Sequence, residues 1–190
     1  MMPPGVRRWS RVVPACLLVF ALGSGSRVQG QARSEFEVKA AYLYAFGRFV
    51  QWPPRAGRDA TAFAICVLGT DPFGATLDAT IAGATLRGRP VVARRLTTAV
   101  SAAACDVVFI GVSEEPQLSE VLDGLRQSAA LTVSDIRRFA ERGGMIQFVS
   151  AGNKVRFEIN TTPARQAGLM LSSELLRVSS AVRGERGAGE

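Results

Sequence analysis

Short apolar runs alternate with amphipathic stretches along this chain, and the last third carries the clearest pattern. Residues 145–149 are mostly apolar, and residues 154–160 (KVRFEIN) alternate strictly. Val155, Phe157 and Ile159 point one way; Lys154, Arg156, Glu158 and Asn160 point the other. Period two marks a strand with one buried face. Between the two runs, Ser150-Ala151-Gly152-Asn153 is rich in residues that tolerate left-handed backbone angles, so the pair predicts a β-hairpin. Pro163 suits the first turn of a helix. Gly168, Leu171, Leu175, Val178 and Val182 recur at steps of three or four, predicting one closing helix with a single apolar stripe.

The same logic orders the rest. Ser34-Glu35-Phe36-Glu37 fits a capping box, opening a helix that Trp52-Pro53-Pro54 stops near residue 51. Its middle, AAYLYAFG at 40–47, is apolar on every side. Burial within its own domain accounts for that; contact with a second copy of the chain, a homodimer, is the alternative. Residues 63–69 (FAICVLG) and 105–112 (CDVVFIGV) read as buried strands, residues 130–133 as a shorter one, and residues 83–96 as a turn and strand. Helices are predicted over 70–81, with Thr70 or Asp71 as cap, over 114–127, and over 134–142, with Ser134 and Asp135 as caps and Gly143-Gly144 as the stop. Strands alternating with helices predict an α/β fold: a single domain with a largely parallel central sheet flanked by helices, finished by a C-terminal β-hairpin and closing helix.

Composition changes the picture mainly at the N-terminus. The chain has 190 residues, 47% hydrophobic and 21% charged, with a net charge of +7. Arg7, Arg8 and Arg11 precede an apolar run at 12–22 that is too short to cross a bilayer core of ~30 Å, and small residues follow. This predicts a secretory signal peptide over 1–32 with cleavage near Gly30–Ala32, a mature domain over 33–182 and a flexible tail over 183–190. A retained membrane anchor is the rival. Setting aside the four arginines of the first 32 positions leaves 19 of the 23 basic residues against 16 acidic ones, a net of +3. Nucleic acid as a partner loses its support with that subtraction. Arg87, Arg89, Arg94 and Arg95 still cluster, as a solvated face or as a surface for an acidic protein.

There is no histidine, which removes His-based triads, His general bases and His-bearing zinc sites. Outside the signal region only Cys66 and Cys105 remain, so a thiolate metal site is not expected, and without a Cys-x-x-Cys neither is thiol redox catalysis. If their strands are neighbours in an exported protein, the two can form a disulfide; otherwise they are two buried thiols. Asp71, Asp78, Asp106, Glu114 and Glu115 fall near predicted strand ends, where α/β proteins place sites, but Asp71, Glu114 and Glu115 are accounted for as helix-start residues and Asp106 begins a strand. No catalytic residue, cofactor or metal is assigned.

Three stretches, KAAYLYAFGRFVQWP at 39–53, CVLGTDPFG at 66–74, and the late segment with GMIQF at 144–148, VRFEIN at 155–160 and Ala167-Gly168-Leu169, resemble the YfiR-like family of exported bacterial proteins. Their order and spacing extend the resemblance over the whole mature chain. It implies a periplasmic α/β protein that is not an enzyme and has no transmembrane segment after signal cleavage. It further implies a repressor that contacts the periplasmic sensory domain of an inner-membrane diguanylate cyclase, lowering cyclic di-GMP and restraining biofilm formation. Cys66 and Cys105 stand where the family commonly has a Cys pair, which implies a bridge. Some members carry a second pair in the late hairpin, but no Cys follows Cys105 here. No short motif marks the family's partner contacts. Placing Arg156, Glu158 and Arg165 at the partner interface rests on strand alternation and helical phase alone. A periplasmic small-ligand sensor with a sheet-end pocket is a second function class, and a hydrolase a third.

Overall fold

Helix α1 (Glu35–Phe49) starts at its capping box. The Glu37 N–H donates to Ser34 Oγ, and the Ser34 N–H donates to the Glu37 carboxylate at 2.8 Å. The structure is a computed structural model that describes residues 34–54, 61–152 and 154–184; the expected signal peptide and residues 185–190 of the expected tail lie outside the described residues. After α1 come β1 (Val50–Gln51), β2 (Phe63–Leu68), α2 (Ala75–Ile81), β3 (Thr85–Leu86), β4 (Arg89–Leu96), α3 (Ala99–Ala102) and β5 (Val107–Ile110). A 3₁₀ helix (Val112–Gln117) leads into α4 (Leu118–Leu125), then β6 (Leu131–Ser134) and the hairpin of β7 (Ile146–Ala151) and β8 (Lys154–Asn160). The chain closes with α5 (Thr161–Gln166), β9 (Met170–Leu171), α6 (Ser173–Val178) and β10 (Ala181–Arg183).

The main sheet has the order β10-β8-β7-β6-β5-β2-β4-β3, and β4, β2, β5, β6 and β7 run parallel. β8 is antiparallel to β7, and β3 to β4. The expected α/β class, the largely parallel sheet and the C-terminal hairpin followed by helix are all present. Every residue of β2 and β5 is buried, as a strand covered on both faces requires. On one face Phe63, Val107 and Phe109 meet Leu43 and Phe46 of α1 and Leu77 of α2; on the other Ala64, Cys66 and Val108 meet Leu118, Val121 and Leu125 of α4. Cys66 of β2 and Cys105, just before the neighbouring β5, are joined as a disulfide with their Cα atoms 6.1 Å apart.

Three local expectations are corrected. Neither Thr70 nor Asp71 caps α2, which starts at Ala75 after Gly74; Asp71 instead accepts from the Phe73 N–H and from Arg95. Residues 135–143 form turns rather than a helix: local bonds such as Phe139 N–H to the Ile136 carbonyl close them, and side chains of β7 and β8 hold the backbone of Ala140. The Ala140 N–H donates to Gln147 Oε1 at 3.1 Å, Asn160 Nδ2 donates to the Ala140 carbonyl at 2.8 Å, and Arg138 sits at φ 59°. The closing helix is two short ones. Gly168, at φ 73°, ends α5, and β9 then pairs with β1, the Ser172 N–H bonding the Phe49 carbonyl before Ser172 caps α6. Of the expected stripe Leu175 is buried, whereas Val178 and Val182 are 59% and 46% exposed.

Candidate functional site

In an open parallel sheet, ligands sit at the strand carboxyl ends, at the point where the strand order reverses. Here that point lies between β2 and β5, and the chain fills it itself. The Thr70 N–H donates to Ser113 Oγ at 2.9 Å, and the Gly111 N–H to the Leu68 carbonyl at 2.9 Å. A Cβ on Gly69 would stand 2.3 Å from Ser113 Oγ, and one on Gly111 would stand 2.8 Å from the Thr70 carbonyl oxygen. The two loops are zipped together, and the crevice a sheet-end sensor would use is occupied by protein.

The carboxylates near strand ends have structural partners. Arg95 reaches Asp71 at 2.9 Å, Asp78 at 2.6 Å and the Gly74 carbonyl at 2.7 Å, pinning the loop before α2 to β4. The hydrogen bond from Arg95 holds the Asp78 carboxyl below its ordinary pKa. Asp106, buried just before the central strand β5 and so at the amino-terminal ends of the parallel strands, accepts from the Ala64 N–H at 2.8 Å and from Arg89 at 3.1 Å. Glu114 takes Gln117, and Glu115 takes Arg142. The same contacts consume much of the arginine cluster: Arg87 donates to the Val50 carbonyl at 2.5 Å, and Arg89 and Arg95 are the partners just named.

The other side of the sheet top is different. Lys39 is only 4% exposed; its Nζ lies 2.6 Å from Glu35, 2.8 Å from Asp135 at the end of β6, and 5.3 Å from the Phe36 ring centroid. Burial alone lowers its pKa, but the hydrogen bonds to Asp135 and Glu35 outweigh that and hold it above its ordinary value. The ammonium is therefore a fixed positive charge under a shallow rim. Two concavities open around it, sharing Glu35 and Ser150. One, of about 690 Å³, is lined by Glu35, Val38, Tyr42, Ser150, Lys154, Val155 and Arg156. The other, of about 410 Å³, has Val112, Asp135, Arg137 and Phe148 among its walls.

Residues 36–180 match the YfiR/HmsC-like family. The chain belongs to that family. Its fold is shared by solved structures of low identity. A conserved domain protein from Vibrio cholerae O1 biovar El Tor matches with TM-score 0.52 and 13% identity, over 79% of this chain and 60% of that one. The ABC domain from Streptococcus pneumonia in complex with L-Trp matches with TM-score 0.52 and 11% identity, over 76% of this chain and 60% of that one. This YfiR/HmsC-like chain thus spans less than two thirds of either. Among the described residues no helix is long and apolar enough to cross a membrane.

On this YfiR/HmsC-like framework Arg156 is exposed near the hairpin tip. Glu158, two residues along the same face, is half-buried and faces Arg183 at 3.6 Å. Arg165 is exposed on α5, beyond the far end of β8. Four residue steps along the strand lead from Arg156 to Asn160, ~13 Å at the usual rise. Arg156 and Glu158 thus share a face, and Arg165 lies past its other end. Residue patterning missed Lys39 and Asp135, which are 96 positions apart; the one local signal was Glu35, four residues before Lys39 on the helix.

Replacing Lys39 by Met should cost about 2–3 kcal/mol, somewhat under the range for breaking a fully buried pair because Asp135 keeps some solvent. Its Oδ1 is already buried without a hydrogen-bond partner. A folded-state pKa above the unfolded one means the contribution is complete below about pH 10 and lost as pH rises through the folded value. Urea titrations at pH 7 and pH 11 check both: the gap between wild type and Lys39→Met should shrink at the higher pH, and an unchanged gap would deny the ion cluster its role.

Proposed function

We propose that this chain is exported to the periplasm, where it binds the periplasmic sensory domain of an inner-membrane diguanylate cyclase and represses it, lowering cyclic di-GMP and biofilm formation. Membership of the YfiR/HmsC-like family over residues 36–180 carries this reading. At family level it supports a periplasmic regulator rather than an enzyme. The site geometry is compatible with that role. The carboxylates near the strand ends are held in structural contacts, the switch-point crevice is filled, and a groove with a basic rim is among the accessible features. Arg156, Glu158 and Arg165 are the proposed partner contacts, and the disulfide between Cys66 and Cys105 suits the oxidising compartment.

Deleting the gene should raise intracellular cyclic di-GMP, and an exported copy should restore it; an unchanged level under several growth conditions would sink the proposal. Charge reversal gives a finer test. Arg156→Glu should weaken co-purification with the cyclase about tenfold, as loss of an interfacial charge contact does. Arg165→Glu, farther from the groove, should do less. Equal recovery of both variants with wild type would remove these residues from the interface.

A further inference from the structure

β8 is only half covered. β10 pairs with it at Glu158, Ile159 and Asn160, so residues 154–157 have no strand on their outer side among the described residues. The direction of their backbone groups follows from two bonds. The Asn160 N–H donates inward to the Met145 carbonyl, and the Ser180 N–H reaches the Phe157 carbonyl from outside. Backbone groups alternate sides along a strand. The N–H and C=O of Val155 and the N–H of Phe157 therefore point away from β7, along an edge of ~13 Å. Short, charged edges protect most proteins from unwanted pairing, and this one carries Lys154 and Arg156.

The surroundings specify what could pair there. On the α1 side the edge is flanked by Val38, Tyr42 and Val155, an apolar strip in the wall of the larger groove. On the opposite side of β8 stand Lys154 and Arg156; Arg137 lines the second concavity, together with Glu35, Lys39 and Phe148. Among the described residues these three have no ion-pair partner, whereas Arg89, Arg95, Arg126, Arg138, Arg142 and Arg183 are paired. Glu35, the groove's own carboxylate, is held by Lys39. An added strand would place alternate side chains on the apolar strip and the rest against the cations.

We infer that the open edge of β8 at residues 154–157 is a docking site for an extended partner segment that alternates apolar and acidic residues and adds as a strand. This rests on the proposed regulatory role and says how the partner is held: main-chain bonds to Val155 and Phe157 supply the register, and Lys154 and Arg156 select acidic side chains.

The test uses the full exported chain with p-benzoylphenylalanine in place of Lys154 or Arg156, or of Thr85 on β3 at the opposite edge of the sheet. Photolysis in cells should give an adduct at 154 and 156 and none at 85. Mass spectrometry should map the attached peptide to an alternating apolar and acidic stretch. Val155→Pro removes an N–H that β7 does not use, and proline is tolerated on edge strands; it should cut adduct yield about tenfold. Lys154→Glu in the chain labelled at 156 should act similarly, and as a surface change it keeps the test valid if Val155→Pro unfolds. No adduct, an adduct to this chain's own sequence or to a basic or helical segment, or yields unmoved by both variants would overturn the inference. Cyclic di-GMP measured in the same strains separates the two claims. A wild type that leaves it unchanged defeats the regulatory reading while the adduct still decides the edge. Folded edge variants that lower it as well as wild type does defeat the edge alone.

Discussion

Replacing Cys66 and Cys105 together by alanine should lower the unfolding free energy by up to about 4 kcal/mol, the loop-entropy value for a ring closed over a separation of 39 residues. For a domain of this size that is a fall in melting temperature of roughly 8–16 °C. The ring encloses α2, β3, β4 and α3, the whole edge of the sheet beyond β2. Amide exchange should therefore rise over residues 75–104 more than over 131–160. Both sulfur-bearing residues are buried, so the intact protein should resist reductant until it unfolds. Thiol labelling of the protein under denaturing, non-reducing conditions should find both cysteines blocked. A loss below about 1 kcal/mol in urea titration would mean that the strands flanking the bridge hold that edge without it.

What the residues revealed in advance, and what they hid, divides along the range of the interactions. The capping box at Ser34 and Glu37, the buried runs of β2 and β5, and the alternation of β8 are local, and each was legible from patterning. The turns at 135–143 were not, because Ser134 and Asp135 resemble helix caps but also bind distant groups. Ser134 Oγ accepts from the Ile136 N–H in a local turn while donating to the Ile110 carbonyl across the sheet, and Asp135 takes Lys39. The closing helix failed for a related reason. Its apolar residues keep helical spacing, yet the segment crosses to β1 and returns to β8, so pairing with distant strands overrode periodicity. The candidate site divides the same way. The outward face of Arg156 and Glu158 follows from alternation, but the half-covered edge exists only because β10 arrives from 20 residues downstream and pairs with just three positions.

Phe46→Ala should be the most damaging single substitution in the helical layer, at about 4 kcal/mol by the usual cost of deleting a buried aromatic. Phe46 is buried on α1, its ring 5.2 Å from Phe157 edge-on, 6.0 Å from Phe148 and 5.9 Å from Tyr42. It therefore joins the helix to both strands of the hairpin, and truncation leaves a cavity at that junction. Phe46→Leu keeps most of the volume and should cost under about 1.5 kcal/mol. The pair of variants also explains the all-apolar run at 40–47. Ala40, Leu43, Phe46 and Gly47 are buried, and a Cβ on Gly47 would come within 2.5 Å of Leu86, so the helix is pressed against its own domain. If the run instead earns its order from a second copy of the chain, stability depends on concentration. Thermal melts over a hundredfold range of protein concentration separate the cases. A constant melting temperature with the full Phe46→Ala loss assigns the run to the core; one that climbs with concentration, or a loss under about 1.5 kcal/mol, assigns it to an interface between copies.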